Sequence, residues 1–129
     1  MGKTPVQFGK ATLKKEEKLC LHSEFDYVRC SGREFPGRLM LMVVAESPDP
    51  SCGIPRFGVI CSRRFSGKAV VRNRARRLIK ESFRLIKNNV RPCNVLFITR
   101  KALLGKRLLE TQKEMMYLLA KANFWMKND

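Results

Sequence analysis

Basic side chains are concentrated in one part of the sequence, between residues 56 and 91. Twelve Lys and Arg residues stand there against a single acid, Glu81, so this segment carries +11 of the formal net charge of +16. Arginine predominates from residue 68 to residue 84, and guanidinium groups bind phosphate through two hydrogen bonds and stack on bases. Like charges four residues apart destabilise a helix unless an anion lies nearby. The pattern predicts binding to a polyanion, with nucleic acid the first candidate and an anionic membrane surface the second.

Residue types that catalyse reactions are scarce in the sequence. Metal-dependent phosphodiester cleavage by a protein needs clustered carboxylates, and the 11 Asp and Glu residues are scattered. One histidine, His22, cannot support a Ser-His-Asp arrangement. The five cysteines include no Cys-x-x-Cys pair, which favours reduced thiols over a zinc site. We therefore predict no catalytic residue and no metal ligand in this chain.

The length and composition predict one domain with a core of its own. The chain has 129 residues, of which 44% are hydrophobic, enough to form a core without disulfides or a structural metal. The sequence has no run of about 18 apolar residues, so we expect no membrane span. It also has no apolar segment near the N-terminus that would indicate a signal peptide. We expect a cytoplasmic protein with a flexible tail over residues 1–17, a domain over 18–122 and a short tail over 123–129.

The hydrophobic pattern predicts three helices and four strands. Helices are expected over 18–28, 69–88 and 106–122, and strands over 38–45, 56–62 and 94–100, with a very short strand between 32 and 36. The loop before residue 56 suggests antiparallel pairing of the strands 38–45 and 56–62. The strand–helix–strand unit from 56 to 100 should place its two strands in parallel. Gly58, inside a strand, indicates a bulge or a close approach of another part of the chain.

The helix over residues 69–88 separates its apolar and basic residues. At about 100° per residue, Val71, Ala75, Ile79 and Ile86 fall within one narrow arc. Most of the basic side chains cluster on the opposite side of the helix. The same spacing that buries one face therefore predicts a basic surface on the other.

Motifs in this region resemble a known family, the protein subunit of bacterial ribonuclease P. The run from Lys68 to Leu78 (KAVVRNRARRL) is similar to the Arg-Asn-Arg signature of that family. Ser62-Arg63-Arg64 resembles its Ser-Lys-Lys, and Lys18-Leu19 with Glu24-Phe25 resembles its opening Arg-Leu and Asp-Phe. The stretch from Phe97 to Lys101 resembles its strand ending in Ala-Arg-Lys. The resemblance covers about residues 18–122.

The resemblance implies an α+β fold in a two-layer sandwich with the element order αβββαβα. Its four-stranded sheet would contain a left-handed βαβ crossover, as in the second domain of a small-subunit ribosomal protein. The resemblance also implies a role in removing the 5′ leader of precursor tRNA, with an RNA as the catalyst. The partners would be this catalytic RNA and the precursor tRNA, with no stable protein partner. Mg²⁺ would be bound mainly by the RNA, and no organic cofactor is implied.

The resemblance assigns two groups of site residues. Phe25 would stack on a leader base in a cleft between the first helix and the sheet. Arg29 stands where the family has a second aromatic residue, and the Met40–Val43 stretch stands where it has another. The leader would therefore be held more by charge than by stacking, with Arg29 among the leader-binding residues and with Tyr27 or Phe57 in place of the missing rings. The residues expected to contact the catalytic RNA are Arg63, Arg64, Lys68, Arg72, Asn73, Arg74, Arg76, Arg77 and Lys80.

Two other functions fit a basic α+β domain. A ribosomal-type RNA-binding protein would bind structured RNA without affecting leader removal. A DNA-binding protein would place the Arg-rich helix in a major groove from a helix-turn-helix pair. The strands predicted immediately before and after this helix argue against the DNA-binding alternative.

Overall fold

Four apolar segments form one sheet in the computed structural model, which describes residues 17–19, 22–48 and 53–126. The strands are β1 (Arg33–Pro36), β2 (Met40–Ala45), β3 (Arg56–Ile60) and β4 (Asn94–Thr99). Their spatial order is β1-β2-β4-β3. β1 and β2 pair antiparallel, as do β2 and β4, whereas β3 and β4 are parallel. The predicted parallel strand–helix–strand unit is thus confirmed.

The predicted antiparallel pairing of the second and third strands is wrong. β4 lies between β2 and β3 and forms hydrogen bonds with both. β4 carries the continuous apolar run Val95, Leu96 and Phe97, which is completely buried. A strand that is apolar on both faces is most stable in the middle of a sheet, and β4 takes that position although it comes last in the chain.

Three helices pack on this sheet: α1 (His22–Ser31), α2 (Ala69–Ile86) and α3 (Leu108–Lys121). Single 3₁₀ turns follow α2 at Lys87–Asn89 and β4 at Lys101–Leu103. The α+β class, the element order and the four-stranded sheet are confirmed. No helix in the described ranges combines the length and the apolar character that a membrane span requires.

The two faces of the sheet bury different helices. Along β2 the side chains alternate, so Met40, Met42 and Val44 join the main core with α2 and α3. Val43 points to the other face, where it forms a smaller cluster with Val28 of α1. The larger core is centred on aromatic rings, since Phe83 of α2 stacks on a ring of β3 and tilts against one of β4. α1 covers only part of its face of the sheet.

α1 begins at His22 rather than at Lys18, the predicted start. Lys18 forms a parallel bridge with Phe57 of β3, and the Leu19 N–H donates to the Phe57 carbonyl at 2.8 Å. These residues therefore extend the sheet beside β3 instead of opening the helix. The predicted N-terminal tail lies outside the described residues except for Glu17. That residue is buried and pairs with Lys87 at 2.9 Å.

The end of the domain is hydrogen-bonded to the segment that follows α2. The N–H of Arg91 donates to the Phe124 carbonyl at 2.8 Å, and the N–H of Met126 donates to the Asn89 carbonyl at 2.7 Å. Trp125 bridges Val90 and packs against the main core. Residues 123–126, predicted as part of a tail, are thus paired with the segment after α2, and 127–129 lie outside the described residues.

Candidate nucleic-acid interface

The basic face of α2 consists of exposed side chains and two that are half-buried. α2 buries Ala75, Ile79 and Phe83 against the sheet, and this orients the intervening polar positions away from the core. Arg72 and Arg76 are half-buried on one side of the helix. The remaining predicted RNA-binding residues of this region are exposed: Lys68, Asn73, Arg74, Arg77 and Lys80.

Arg72 and Arg76 hold the loop between β3 and α2. Nη1 of Arg72 donates to the Ser66 carbonyl at 3.0 Å, and Nη2 of Arg76 donates to the Cys61 carbonyl at 3.1 Å. Nη1 of Arg76 also donates to Oδ1 of Asn73 at 3.0 Å. These bonds connect both ends of the loop to one side of the helix. The two guanidinium groups thus have a positioning role beside any contact with a phosphate.

The same loop is also stabilised from within. Oγ of Ser62 accepts from the Arg64 N–H at 3.2 Å, and Oγ of Ser66 accepts from the Lys68 N–H at 3.1 Å. Phe65, only 5% exposed, anchors the loop in the main core. The exposed Arg63 and Arg64 therefore project from a loop that is held at both ends and at its centre.

An open groove of about 840 Å³ lies beside this loop, on the face of the sheet that α1 leaves uncovered. Its floor contains Ile60 and Ile98, which are register partners at the carboxyl ends of β3 and β4. Arg29 from the end of α1 lies on its rim. The basic residues that line the groove are Arg29, Arg63, Arg64, Arg100 and Lys101.

Arg100 and Lys101 were not among the predicted site residues. They follow β4 directly, and Arg63 and Arg64 follow β3 after two intervening residues. Because β3 and β4 are parallel, the residues after both strands meet at one edge of the sheet. The predicted parallel pairing could have identified Arg100 and Lys101, because basic residues that follow two neighbouring parallel strands must lie close together.

Of the predicted leader-binding residues on α1, Arg29 lies on the rim of this groove, whereas Phe25 and Tyr27 lie outside its lining. The ring of Phe25 lies over Gly58 of β3, so close that a Cβ atom there would be 2.7 Å from Cε1 of the ring. Gly58 therefore marks a close approach of α1, one of the two predicted alternatives. Tyr27 is half-buried, and its hydroxyl donates to the Glu46 carbonyl at 3.1 Å. Val43, in the stretch where the family has an aromatic residue, is buried beneath α1.

Phe57, predicted as a leader-binding residue, is a core residue instead. Its side chain is 2% exposed and stacks on Phe83 with ring centroids 4.6 Å apart. Side chains alternate along a strand, so Phe57 faces α2 while Gly58 and Ile60 face α1 and the groove. A base on the groove side therefore has no access to this ring, and the expectation is corrected.

Several carboxylates of the described residues are engaged by the protein's own donors. Glu24 pairs with Arg56 at 2.6 Å, and Glu81 pairs with Arg84. Both carboxylate oxygens of Glu114 accept hydrogen bonds from backbone N–H groups. The described ranges contain no group of three or more His, Cys, Asp or Glu side chains that could hold a metal ion.

The described cysteines have free thiols in two different environments. Cys30 is exposed on α1, whereas Cys61 and Cys93 are buried. Burial raises the pKa of the Cys93 thiol to about 12, so it stays protonated at neutral pH. Cys20 and Cys52 lie outside the described residues.

Comparison with known proteins identifies the family. The family model for ribonuclease P matches residues 13–123. The chain belongs to the ribonuclease P protein family. A ribonuclease P protein component of Clostridium botulinum (strain Langeland) is 33% identical over 113 residues, which cover 86% of this chain and 98% of the relative. Another from Clostridium kluyveri is 36% identical over 107 residues, covering 81% and 92%.

Solved structures of ribonuclease P proteins share the fold. A mutant of the Staphylococcus aureus protein superimposes with a TM-score of 0.76 at 22% identity, covering 86% of this chain and 92% of that one. The Thermotoga maritima protein gives a TM-score of 0.71 at 23% identity, covering 81% and 96%. The comparisons thus confirm both the resemblance to the ribonuclease P protein subunit and the predicted α+β fold.

Proposed function

We propose that this chain is the protein subunit of a tRNA-processing ribonuclease P and binds the catalytic RNA through the exposed basic face of α2. The observation that carries this proposal is that basic side chains of this face are exposed while the loop beside it is held in place. Asn73, Arg77 and Lys80 are exposed, and Arg72 and Arg76 fix the adjoining loop through the Ser66 and Cys61 carbonyls. A rigid, convex, basic helix suits the phosphates and 2′-hydroxyls of structured RNA. Family membership names the complex in which such a face would act.

The groove at the edge of the sheet is suited to the single-stranded 5′ leader of precursor tRNA. Its half-buried floor residues, Ile60 and Ile98, offer an apolar surface for bases, and cations from three segments of the chain line the same groove. Nonspecific single-strand sites combine such a cationic channel with stacking or apolar contacts. Phe25 and Tyr27 lie on the neighbouring surface of α1 and would contact the leader where it leaves the groove.

The cleavage chemistry is assigned to the RNA partner. Mg²⁺ would be held mainly by RNA, because the carboxylates of Glu17, Glu24 and Glu114 are already bound to lysine, arginine and backbone donors. The protein contributes cations that reduce repulsion between the two RNAs and thereby favour Mg²⁺ binding nearby. It needs no organic cofactor, and it acts on these RNAs in the cytoplasm without a membrane or a stable protein partner.

The test is cleavage of a precursor tRNA by a bacterial ribonuclease P RNA at low Mg²⁺, with and without this protein. We expect strong stimulation by the wild-type chain. Arg77→Ala and Lys80→Ala should weaken binding to the RNA, and Arg91→Ala, an exposed cation outside the proposed surfaces, serves as the matched control. Binding to RNA without any stimulation of leader removal would instead indicate a ribosomal-type RNA-binding protein.

The leader assignment has its own test in the assembled holoenzyme. Arg100→Ala and Lys101→Ala should weaken binding of precursor tRNA and leave binding of mature tRNA, which has no leader, unchanged. Equal losses for both substrates would contradict the placement of the leader in this groove.

A further inference from the structure

A furrow runs from α2, past the segment between β4 and α3, to the β1–β2 turn, and it is separate from the groove described above. It consists of three adjoining depressions. The first lies between Arg77 and Leu108, and it shares Arg74 with the second. The second shares Lys106 with the third, which has a volume of about 550 Å³ and ends at Tyr117 of α3 and the β1–β2 turn. We refer to these three depressions together as the seam furrow.

Cations without acidic partners line the seam furrow from end to end. Arg77 and Arg74 stand at the α2 end, and Arg38 and Lys113 stand at the α3 end. Across the ranges that the structure describes, no carboxylate forms an ion pair with any of these four side chains. Lys106, between them, is only loosely paired at 3.8 Å to an exposed carboxylate.

Three acids also line the furrow and lower its positive charge without cancelling it: Glu81, Glu110 and Glu114. The Glu114 carboxylate accepts hydrogen bonds from the backbone N–H groups of Arg38, Leu39 and Met40 at 3.0, 2.7 and 3.1 Å. The Glu81 carboxylate pairs with the guanidinium group of Arg84, three residues further along α2. Five cations stand against these three carboxylates, so the lining of the furrow remains net positive, and all of the cations except Lys106 are exposed: Arg38, Arg74, Arg77, Lys106 and Lys113.

An exposed aromatic ring closes the far end of the furrow. Tyr117 is 62% exposed although it lies on a helix whose other face is buried. Lys113 and Lys121, one turn before and after it, share its helix face, and Nζ of Lys121 is 5.8 Å from the ring centroid. An exposed ring between cations is the arrangement that stacks an unpaired base while its phosphates are neutralised.

We propose that the seam furrow binds an unpaired segment of the catalytic RNA, with phosphates at Arg74, Lys106 and Lys113 and a base stacked on Tyr117. This inference rests on the proposed function, because the furrow starts at Arg74 and Arg77 of the α2 face. The RNA that covers α2 is therefore the occupant nearest to it. The furrow extends the RNA-binding surface from one helix to the β1–β2 turn.

The experiment measures affinity for a bacterial ribonuclease P RNA, without tRNA, over a range of salt concentrations. Tyr117→Ala should weaken binding about 5- to 150-fold, the range for loss of one base stack, and Tyr117→Phe should bind within about twofold of wild type. Lys113→Ala should lower the salt slope by about one. Leu109→Ala is the matched control, because Leu109 is equally exposed on the same helix but does not line the furrow.

The outcomes separate this inference from the proposed function. If Lys80→Ala weakens binding while Tyr117→Ala and Lys113→Ala do not, the seam furrow is not an RNA site and the α2 interface stands. If none of the three variants weakens binding, the proposed function fails as well. A Tyr117→Ala loss confined to precursor tRNA binding by the holoenzyme would overturn the assignment to the catalytic RNA. Thermal melts of each variant verify that the fold is retained.

Discussion

The ring of Phe25 lies directly over Gly58, and this contact fixes how closely α1 approaches the sheet. A Cβ atom at residue 58 would lie 2.7 Å from Cε1 and 2.9 Å from Cζ of the ring. Arg56 reinforces the contact from the same strand, since it pairs with Glu24 of α1 at 2.6 Å. The position of the aromatic residue proposed to meet the leader thus depends on a strand residue that has no side chain.

Gly58→Ala should therefore displace the Phe25 ring. We expect a loss of about 1 kcal/mol in the free energy of unfolding, at the low end for overpacking, because the half-buried ring can swing outward. Affinity of the holoenzyme for leader-bearing tRNA should fall with it. Urea denaturation and tRNA binding measure the two effects. Gly53→Ala is the control, since no atom lies within 4 Å of a Cβ built there, and an equal loss in that variant would contradict the steric explanation.

For Phe57 we predict a loss of stability without a selective loss of leader binding, because its ring belongs to the core. Phe57→Ala should cost about 3–5 kcal/mol, the range for loss of a buried phenylalanine. Phe57→Leu keeps most of the volume and should remain folded with a smaller loss. Its affinity for the leader, measured with precursor and mature tRNA, should equal that of wild type. A folded Phe57→Leu variant that selectively loses leader binding would restore the residue to the site.

The sequence was sufficient for the features that depend on local spacing. The apolar positions Val71, Ala75 and Ile79 predict α2 and its basic face, and both follow from a repeat of 3.6 residues. The parallel pairing of β3 and β4 follows from the helix that connects them. The basic surface of α2 could be predicted because charge and helical period lie in the same short segment.

The features that were mispredicted depend on contacts between distant segments. Lys18 and Leu19 have a helical pattern, but pairing with Phe57 gives their backbone a sheet partner. The orientation of Phe57 required knowledge of which face of β3 meets α2. The basic residues Arg100 and Lys101 became part of a site only when β4 was placed beside β3. Local spacing carries no information about which face of a strand another helix will cover.

Glu114 stabilises the turn between β1 and β2 from across the molecule. Its carboxylate accepts from three successive backbone N–H groups, those of residues 38–40. Glu114→Ala would leave them without this acceptor, and we expect a loss of roughly 1–3 kcal/mol. Glu114→Gln, which keeps one oxygen acceptor, should lose less. Urea midpoints measure these effects, and Glu46→Ala, an exposed glutamate, should change stability very little. Equal midpoints for Glu114→Ala and Glu46→Ala would contradict the capping role.

The buried thiol of Cys93 predicts both a reactivity and a dependence on pH. Burial raises its pKa to about 12 from an ordinary value of 9.0, so at neutral pH a thiol reagent should modify exposed Cys30 far faster. Because the folded-state pKa is the higher one, the unfolded state releases this proton first as pH rises. The contribution of Cys93 to stability is complete below about pH 9 and is lost as pH rises toward 12.

Cys93→Ala isolates this pH effect from the other groups that titrate in alkali. The difference in unfolding free energy between wild type and Cys93→Ala should be constant up to about pH 9 and shrink above it. Peptide mapping after labelling identifies which cysteine has reacted. Equally rapid labelling of Cys93 and Cys30 in the folded protein would show that the thiol is accessible.

Arg76 and Arg77 are neighbours on α2, yet the structure gives them different roles. Arg77 is exposed, so Arg77→Ala should lower the salt slope of RNA binding by about one without changing stability. Arg76 donates to the Cys61 carbonyl and to Asn73 Oδ1. Arg76→Ala should therefore also cost about 0.5–1.5 kcal/mol of stability and loosen the loop that carries Arg63.

Lysine substitutions distinguish a charge from a positioning role at these two residues. Arg77→Lys should bind RNA nearly as well as wild type, because it keeps the charge on an exposed site. Arg76→Lys should not recover the loss, since one ammonium group cannot reproduce the planar fork that reaches the Cys61 carbonyl and Asn73 together. Salt-dependent RNA binding and urea midpoints of all four variants provide the measurement. Full recovery in Arg76→Lys would mean that Arg76 acts through its charge alone and that the loop is held without it.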